Sequence, residues 1–378
     1  MIGVVIVGGG IVGLKLAEQL AKNGWSIKLI EEHKKIGYPV ECSGLVSTNI
    51  MQHDLPLEEC VVNVINGAKI YAPNGVEINV RRKKAALVLD RQKLDQELCK
   101  RVKKLKADVE LSCKLINVRG NNLFVKKGQR GEMLKSEIIV GADGANSKVR
   151  ELMQVKSKGY FINTIQARIK GDYEKDIVKV YFGDFAKGFF AWVIPESNNV
   201  ARVGLGVKLG ENIRECFYKF LRTIGIEKPE LENITGGLIP IGPPIREVVK
   251  GNFAIVGDAA FHTKATTGGG IITGCIGAEI LARCINGYFK NRVSLDHYKK
   301  EIEELNKELM LHWKLRRFLD SLNERGLNKF FAKINRLGLD KFLEKEGDMD
   351  FPSKFMGKIL FNPRILAMLP EFVKFVMG

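Results

Sequence analysis

The chain has 378 residues, of which 45% are hydrophobic and 27% charged, a balance typical of a globular protein with a sizeable core. It contains no run of eighteen apolar residues, so we expect no membrane-spanning helix. Its first residues are typical of a strand, so we expect no secretory signal. The formal net charge is +17, but the basic residues are spread along the chain without a nucleic-acid-binding motif. We therefore expect no nucleic acid partner. The charge is explained either by a lysine-rich solvated surface or by attraction to an anionic membrane.

The seven cysteines are odd in number, widely scattered and free of C-x-x-C pairs, which argues against a zinc ribbon or an iron–sulfur cluster. A reducing cytosol fits this usage best, and we expect a cytoplasmic protein. His262, His297 and His312 lack the spacing of metal ligands, so we interpret them as structural or surface residues. No metal is expected.

The first thirty-one residues carry the strongest motif. Residues 4–7 predict a buried strand, 11–23 a helix and 26–30 a second strand. Between the first strand and the helix, Gly8, Gly10 and Gly13 form G-x-G-x-x-G, and the second strand ends in Glu31. This pattern is typical of a dinucleotide site, with a tight turn at Gly8, a close backbone approach at Gly10 and helix packing at Gly13. Glu31 would accept hydrogen bonds from a ribose.

Two later segments repeat the change from strand to turn to helix. Residues 138–150 predict a strand that runs into Asp143, with Ser147 and Arg150 opening a helix. Residues 253–261 predict a strand that runs into Asp258, and a glycine run at 268–270 opens a further helix. Carboxylates at strand ends accept hydrogen bonds from sugar-like hydroxyls, and helix N-termini favour phosphates. Each segment alone could be a plain strand-to-turn junction, but together with the first motif they favour a bound nucleotide.

The dinucleotide signals are split along the chain, which predicts an α/β fold with a Rossmann-type domain interrupted by a second domain. We expect a discontinuous dinucleotide-binding domain at 1–60, 86–158 and 250–290, and an antiparallel-sheet substrate domain at 61–85 and 159–249. Residues 291–378 predict a helical C-terminal region. Its last part, from residue 355, is apolar and includes basic residues and two prolines. It is either a set of membrane-interface helices or a helical cap.

The motifs resemble, in order and rough spacing, the FAD-containing hydroxylases and reductases of the p-hydroxybenzoate hydroxylase fold, over residues 1 to about 285. The matching residues are Gly8–Gly13, Glu31, Leu89-Asp90-Arg91, Gly141-Ala142-Asp143-Gly144 and Gly257-Asp258. The resemblance implies that the first motif holds the ADP half of FAD, that Arg91 reaches the pyrophosphate and that Asp258 holds the ribityl chain.

Two further stretches resemble the geranylgeranyl reductase family. Residues 38–44, YPVECSG, match its P-x-x-C-[AGS]-G loop. Residues 190–195, FAWVIP, followed by Gly204-Leu205-Gly206, match its Y-x-W-x-F-P…G-x-G motif, although Phe190 and Ile194 depart from the commonest residues. Archaeal members of this family saturate the isoprenoid chains of ether-linked membrane lipids. The resemblance therefore implies an FAD-dependent reductase of geranylgeranyl chains on phospholipid precursors.

The resemblance also implies a set of site residues. The expected FAD-binding residues are Gly8, Gly10, Gly13, Glu31, Cys42, Ser43, Gly44, Leu45, Arg91, Leu115, Asp258, Gly270 and Ile271. The expected prenyl-chain residues are Phe190, Trp192, Pro195, Gly204 and Gly206. Cys42 is the candidate catalytic residue, as a flavin contact or a proton donor, although its residue type alone favours a small packing residue. An aromatic strand around Trp192 is likewise common in an ordinary core.

The sequence leaves other functions open. A flavin monooxygenase shares the expected fold, a reductase could act on another prenylated substrate, and a flavin-bound lipid carrier would turn nothing over. The electron donor is open among NAD(P)H, reduced deazaflavin and ferredoxin, so an electron-donor protein is one expected kind of partner. Isoprenoid lipid is the expected substrate, and the inner face of the cell membrane is a candidate site of peripheral association.

Overall fold

The computed structural model describes residues 2–354 and residue 358. The strands are β1 (Ile2–Val7), β2 (Ile27–Ile30), β3 (Leu45–Ser47), β4 (Val61–Tyr71), β5 (Glu77–Leu89), β6 (Asp108–Glu110), β7 (Cys113–Arg119), β8 (Asn122–Lys127), β9 (Arg130–Gly141), β10 (Tyr160–Lys170), β11 (Ile177–Tyr181), β12 (Ala191–Pro195), β13 (Val200–Lys208), β14 (Leu231–Thr235), β15 (Leu238–Ile241), β16 (Val249–Lys250) and β17 (Phe253–Ile255). The α-helices are α1 (Ile11–Lys22), α2 (Arg91–Lys104), α3 (Lys148–Leu152), α4 (Ile213–Thr223), α5 (Ile271–Asn291), α6 (His297–Glu301), α7 (Glu303–Ser321), α8 (Glu324–Arg336) and α9 (Leu339–Glu346).

The first sheet has a parallel centre in the order β17-β9-β1-β2-β6, with β16 antiparallel at its edge. Val4, Val5 and Ile6 of β1 are fully buried, as expected for a central parallel strand that is covered on both faces. Helix α1 follows β1 directly and packs against α5 and α2. The predicted strand–turn–helix–strand unit at the N-terminus is therefore present, and the mixed α/β fold class is confirmed.

Strand β9 is long enough to serve two pairings. Its first half pairs antiparallel with β8, which in turn pairs with β7, and its second half runs parallel to β1. The chain therefore leaves a small antiparallel meander and enters the parallel sheet without a break. The strand ends at Gly141, directly before the predicted Asp143 turn.

The second sheet has the order β14-β10-β13-β12-β11-β4-β5-β3, and β15 also pairs with β10. Successive side chains of β12 point to opposite faces. Val193 packs in a cluster with Phe217 and Phe220 of α4, whereas Trp192 and Ile194 belong to a cluster on the other face. One face of this sheet is thus covered by α4, and the other faces the candidate site. The domain boundaries given above stay a prediction.

Helices dominate the chain after Ile271, as the sequence predicts, and the buried side chains include Leu305 and Leu309 of α7 and Ile334 of α8. Within the described ranges, no helix combines the length and apolarity that crossing a bilayer would require. Apart from Lys358, the stretch predicted to be either interfacial helices or a cap lies outside the described residues.

Candidate active site

A single cavity of about 1050 Å³ brings together segments that lie far apart in the sequence. Its polar end is lined by the turns that follow β1, β9 and β17 and by the start of α5. Its apolar end is lined by the second sheet. Of the predicted site residues, those on the cavity wall are Gly10, Cys42, Ser43, Leu45, Arg91, Phe190, Trp192, Asp258, Gly270 and Ile271. The cavity thus contacts both the predicted cofactor residues and the predicted prenyl-chain residues.

The glycine turn after β1 has the geometry that its spacing predicts. Gly8 has a φ of +109°, and a Cβ at Gly13 would lie 2.1 Å from the carbonyl oxygen of Gly8. Neither position has room for a side chain, so these two glycines shape the turn and lie behind the cavity wall. A Cβ at Gly10 would meet nothing within 4 Å, which leaves open space beside that backbone. A ligand can therefore approach the backbone at Gly10 closely.

Glu31 follows β2, where the sequence predicts it, and its carboxylate holds the turn together. Its Oε2 accepts a hydrogen bond from the Gly9 amide at 2.6 Å, and its Oε1 accepts one from the His33 amide at 2.8 Å. Glu31 does not line the cavity, although its neighbours Glu32 and His33 do. Its role toward a ribose stays a prediction.

The loop that carries Cys42 and Ser43 is fixed by two residues of the second sheet. Gln166 donates a hydrogen bond to the Cys42 carbonyl at 3.1 Å, and Arg202 donates one to the Ser43 carbonyl at 2.6 Å. Gly44 has a φ of +73° and is packed against the Leu89 carbonyl, so only glycine fits there. The loop is therefore a rigid part of the cavity wall.

Arg91 lies at the first turn of α2, where the side chain of Asp90 caps the helix by accepting from the Lys93 amide. Its guanidinium donates to Asp95 at 2.9 Å, while its buried Nε has no partner among the described residues. Burial opposes the charge, but the Asp95 carboxylate raises the pKa of Arg91 above its ordinary value. A permanent cation with a free donor thus lines the cavity, which suits a phosphate.

Asp143 lines the cavity, and its carboxylate also holds the turn after β9 together. Its role toward sugar-like hydroxyls stays a prediction. Its two carboxylate oxygens accept from the Ser147 hydroxyl at 2.6 Å and the Val149 amide at 3.0 Å, so it stabilises the start of α3. Arg150 then links this turn to the next one by donating to the carbonyls of Ala145 and Ala259. In this structure the pair organises the cavity wall.

Asp258 lies after β17, where burial raises its pKa. The Thr263 hydroxyl donates to its Oδ1 at 3.0 Å, and a Cβ at Gly270 would lie 2.7 Å from the same oxygen. Because residue 270 is a glycine, the Asp258 carboxylate has room to lie beside the start of α5. No side chain caps that helix, so its first amides face the cavity with Gly270 and Ile271.

A buried ion pair at the same end was not predicted from the sequence. The Lys264 ammonium donates to Asp350 at 2.5 Å, and both side chains are almost fully buried. Asp350 also accepts from Ser47 and, at 2.7 Å, from the Asn49 side chain. A lone lysine and an aspartate near the chain end carry no sequence signal for this contact. Arg202 lies in a mostly apolar strand, and the sequence likewise gives no signal for its contact with the Cys42 loop.

The apolar wall is built from aromatic side chains that lie over glycines. Phe190 stacks on Phe189 with ring centroids 4.1 Å apart, and its ring also meets Trp192 edge-on. A Cβ at Gly204 would lie 2.7 Å from the Trp192 ring, and one at Gly206 would lie 2.7 Å from Phe189. The two glycines therefore make room for the aromatic rings and are not on the cavity surface. Pro195 is buried in β12, also away from the cavity.

The remaining predicted residues lie elsewhere. Leu115 is buried in β7 and does not line the cavity. His262 and His312 are buried, and burial lowers the pKa of each to about 4, so both rings are neutral at pH 7. His297 forms a surface pair with Glu301. The described residues contain no group of three side chains that could hold a metal ion.

These features fit FAD on grounds of this structure alone. The space beside Gly10, the unpartnered Nε of Arg91 and the uncapped start of α5 are all complementary to a diphosphate and other anionic or carbonyl groups. A neighbouring carboxylate, Asp258, can accept from hydroxyls.

The two sheets and their shared cavity define the fold of FAD-dependent hydroxylases and reductases. A geranylgeranyl bacteriochlorophyll reductase-like protein from Thermoplasma acidophilum matches with a TM-score of 0.84 at 22% identity, covering 98% of this chain and 97% of that one. The p-nitrophenol 4-monooxygenase of Pseudomonas putida matches with a TM-score of 0.67 at 16% identity, covering 97% and 98%. The lycopene cyclase protein family matches residues 3–175.

Curated relatives are closer in sequence. The digeranylgeranylglycerophospholipid reductase of Methanococcus vannielii is 30% identical over 86% of this chain and 88% of its own length. An uncharacterised protein of Methanocaldococcus jannaschii is 31% identical over 94% of both chains. The chain belongs to the geranylgeranyl reductase family that includes the archaeal digeranylgeranylglycerophospholipid reductases.

Proposed function

We propose that this protein is an FAD-dependent reductase that saturates the double bonds of geranylgeranyl chains on ether phospholipid precursors. The observation that carries the proposal is the single cavity that joins a dinucleotide-type turn to a wall of aromatic and aliphatic side chains. A long prenyl chain needs such an apolar wall, and its double bonds must come close to the redox group. The names of the curated relatives support the same substrate class.

The cofactor proposal assigns a role to each part of the polar end. The backbone at Gly10 and the start of α5 would contact the diphosphate and the flavin edge, Arg91 would pair with a phosphate, and Asp258 would accept from the ribityl hydroxyls. Gly8 and Gly13 would act indirectly, by shaping the turn. Phe190 and Trp192 would contact the prenyl chain.

Flavin, when bound and reduced, supplies the hydride that an isolated alkene needs. The protein must position the alkene, exclude water and deliver a proton to the second carbon. Positioning is the task of the aromatic wall, which the glycines of β13 hold in place. We assign the proton delivery to Cys42, because its thiol lies on the cavity wall in a loop that Gln166 and Arg202 hold rigid.

A product experiment tests this function and the role of Cys42 together. The protein is incubated with FAD, a chemical reductant and a digeranylgeranyl phospholipid, and the lipid is analysed by mass spectrometry with and without oxygen. We expect a gain of two hydrogens per double bond without oxygen. For Cys42→Ala we expect at least a tenfold slower gain per bound flavin.

The matched control is Cys99→Ala, a cysteine of α2 that does not line the cavity, which should keep the wild-type rate. Incorporation of an oxygen atom into a product would favour the hydroxylase function instead. A wild-type rate in Cys42→Ala would remove Cys42 as the proton donor. Flavin that binds but never turns over would favour a lipid carrier.

The electron donor and the membrane contact are finer proposals. We propose an external donor, because the described residues contain one dinucleotide-type turn and the cavity is shared with the lipid. Anaerobic reduction of the bound flavin by NAD(P)H, reduced deazaflavin or ferredoxin identifies it. We also propose peripheral binding to anionic membranes through the net charge of +17, which cosedimentation with anionic and neutral vesicles tests.

A further inference from the structure

Strand β5 contains a bulge made of basic residues. Gly67 of β4 pairs with Arg81 and Ile65 pairs with Ala86, so residues 82–85 stand opposite the single residue Asn66. We call residues 82–85, with the sequence RKKA, the basic bulge. Lys84 adopts a φ of +51°, and its amide donates to the Asn66 side chain at 2.8 Å. Bulges of this kind redirect side chains and occur beside functional sites.

The basic bulge borders the apolar end of the cavity. Arg82 and Ala85 both line it, next to Ile70, Val80 and Phe182. The Arg82 guanidinium donates to the Gly347 carbonyl at 2.8 Å and is otherwise exposed. This contact ties β5 to the residue that follows α9. The remaining guanidinium donors, at the edge of an apolar cavity, can bind an anion that enters with an apolar chain.

The distance between Arg82 and the flavin end of the cavity suits a long prenyl chain. Strand β5 continues from Arg82 to Leu89, whose amide donates to the Gly44 carbonyl beside the Cys42 loop. At about 3.3 Å per residue, the seven steps between Arg82 and Leu89 span roughly 23 Å or somewhat less because of the bulge. An anionic group held at Arg82 would therefore place its attached chain along the apolar wall toward the Cys42 loop.

The positive charge of the basic bulge is only partly balanced, because the Glu346 carboxylate lies near enough to attract Arg82 electrostatically. Among the described residues, no carboxylate forms an ion pair within 4 Å with Arg82, Lys83 or Lys84. The nearby Glu344 accepts from the Arg81 amide, and Glu346 contacts the ammonium of Lys358. The available donors and the remaining net positive charge of the basic bulge together fit a phosphate.

We propose that Arg82 binds the phosphate of an anionic prenyl-lipid headgroup, with Lys83 and Lys84 adding long-range attraction. The inference rests on the proposed function and refines it, because it makes the phosphate part of what the enzyme recognises. The phosphate ester belongs either to an ether phospholipid precursor or to a prenyl diphosphate, and the test separates the two.

The test compares lipids that share their chains. Digeranylgeranylglycerophosphate, digeranylgeranylglycerol and geranylgeranyl diphosphate are titrated into the oxidised, FAD-loaded protein, and the flavin absorbance change gives a Kd for each. Arg82→Gln should raise the Kd of the glycerophosphate lipid at least tenfold and leave that of the glycerol lipid unchanged. Arg81→Gln is the matched control, because Arg81 precedes the bulge and does not line the cavity.

A higher Kd for both glycerolipids would mean that Arg82 only shapes the cavity, and an unchanged Kd for the glycerophosphate lipid would also overturn the inference. A larger effect of Arg82→Gln on geranylgeranyl diphosphate than on the phospholipid would identify a diphosphate as the recognised group. Failure of the proposed function has a different signature, because then even the uncharged glycerol lipid would not reoxidise the reduced wild-type flavin. The Arg82→Lys variant, which keeps the charge, should recover part of the affinity.

Discussion

Several buried charges around the cavity connect segments that the sequence separates widely. Asp350 joins the region after α9 to β3 through Ser47, and to the loop before α5 through Lys264. Arg202 joins β13 to the Cys42 loop. A charge is tolerated in such a place only when it is paired and hydrogen-bonded. At the scale of single residues, these contacts fix the relative positions of the cavity walls.

We predict that Asp350→Ala lowers the free energy of unfolding by about 3–5 kcal/mol, because the Lys264 ammonium would remain buried without its partner. Urea denaturation followed by circular dichroism measures this change. Asp296→Ala, which removes an exposed pair with Lys299, should cost less than about 1 kcal/mol. The double variant Lys264→Met/Asp350→Leu should recover much of the loss, and a double variant as unstable as Asp350→Ala would contradict the account.

The same pair makes the stability depend on pH. Burial alone would raise the pKa of Asp350, but Lys264, Ser47 and Asn49 lower it below the ordinary value. A carboxyl group with a lowered pKa in the folded state stabilises the protein above its unfolded-state pKa and loses that contribution as the pH falls. The difference between wild type and Asp350→Ala should therefore be full at neutral pH and shrink below about pH 4.

At the scale of elements, two glycines of the turn between β1 and α1 have different roles. One is needed for folding and the other for ligand binding. We predict that Gly13→Ala disrupts the turn, because its Cβ would lie 2.1 Å from the Gly8 carbonyl oxygen. Gly10→Ala should fold normally, since open space surrounds that position, but should weaken FAD binding at least tenfold by occupying the space of the ligand. Thermal denaturation of the FAD-free proteins and titration with FAD measure the two effects.

The contrast between the two variants is the control. Equal losses of thermal stability in both would show that Gly10 is also a packing glycine. Wild-type FAD affinity in Gly10→Ala would place the dinucleotide somewhere else. Either outcome would change the interpretation of the turn.

The sequence predicts elements well where a periodic pattern or a glycine constraint defines them. The first strand, α1 and the turns at Asp143 and Asp258 are present because apolar periodicity and glycine geometry are local properties. The bulge of β5 and the contacts of Gln166, Arg202 and Asp350 could not be predicted, because each depends on which distant segment packs nearby. Asp143 shows the same limit, since its position at the end of a strand does not reveal that its carboxylate stabilises the start of α3.

At the scale of the whole molecule, the fold places a nucleotide-type turn and an apolar sheet face on the same cavity. The chain visits the second sheet twice, through β3–β5 and again through β10–β15, and returns to the first sheet with β16 and β17. The loop with Cys42 and the start of α5 therefore meet although they lie more than two hundred residues apart. Because both segments line one cavity, a direct hydride transfer from cofactor to lipid is possible.

Anaerobic single-turnover kinetics test the central claim most directly. The FAD-loaded protein is reduced with dithionite, mixed without oxygen with digeranylgeranylglycerophosphate, and followed by the flavin absorbance. We predict reoxidation of the flavin at a rate that depends on lipid concentration, with one double bond saturated per flavin. Flavin that stays reduced with this lipid and with the uncharged glycerol lipid, and is reoxidised only by air, would contradict it.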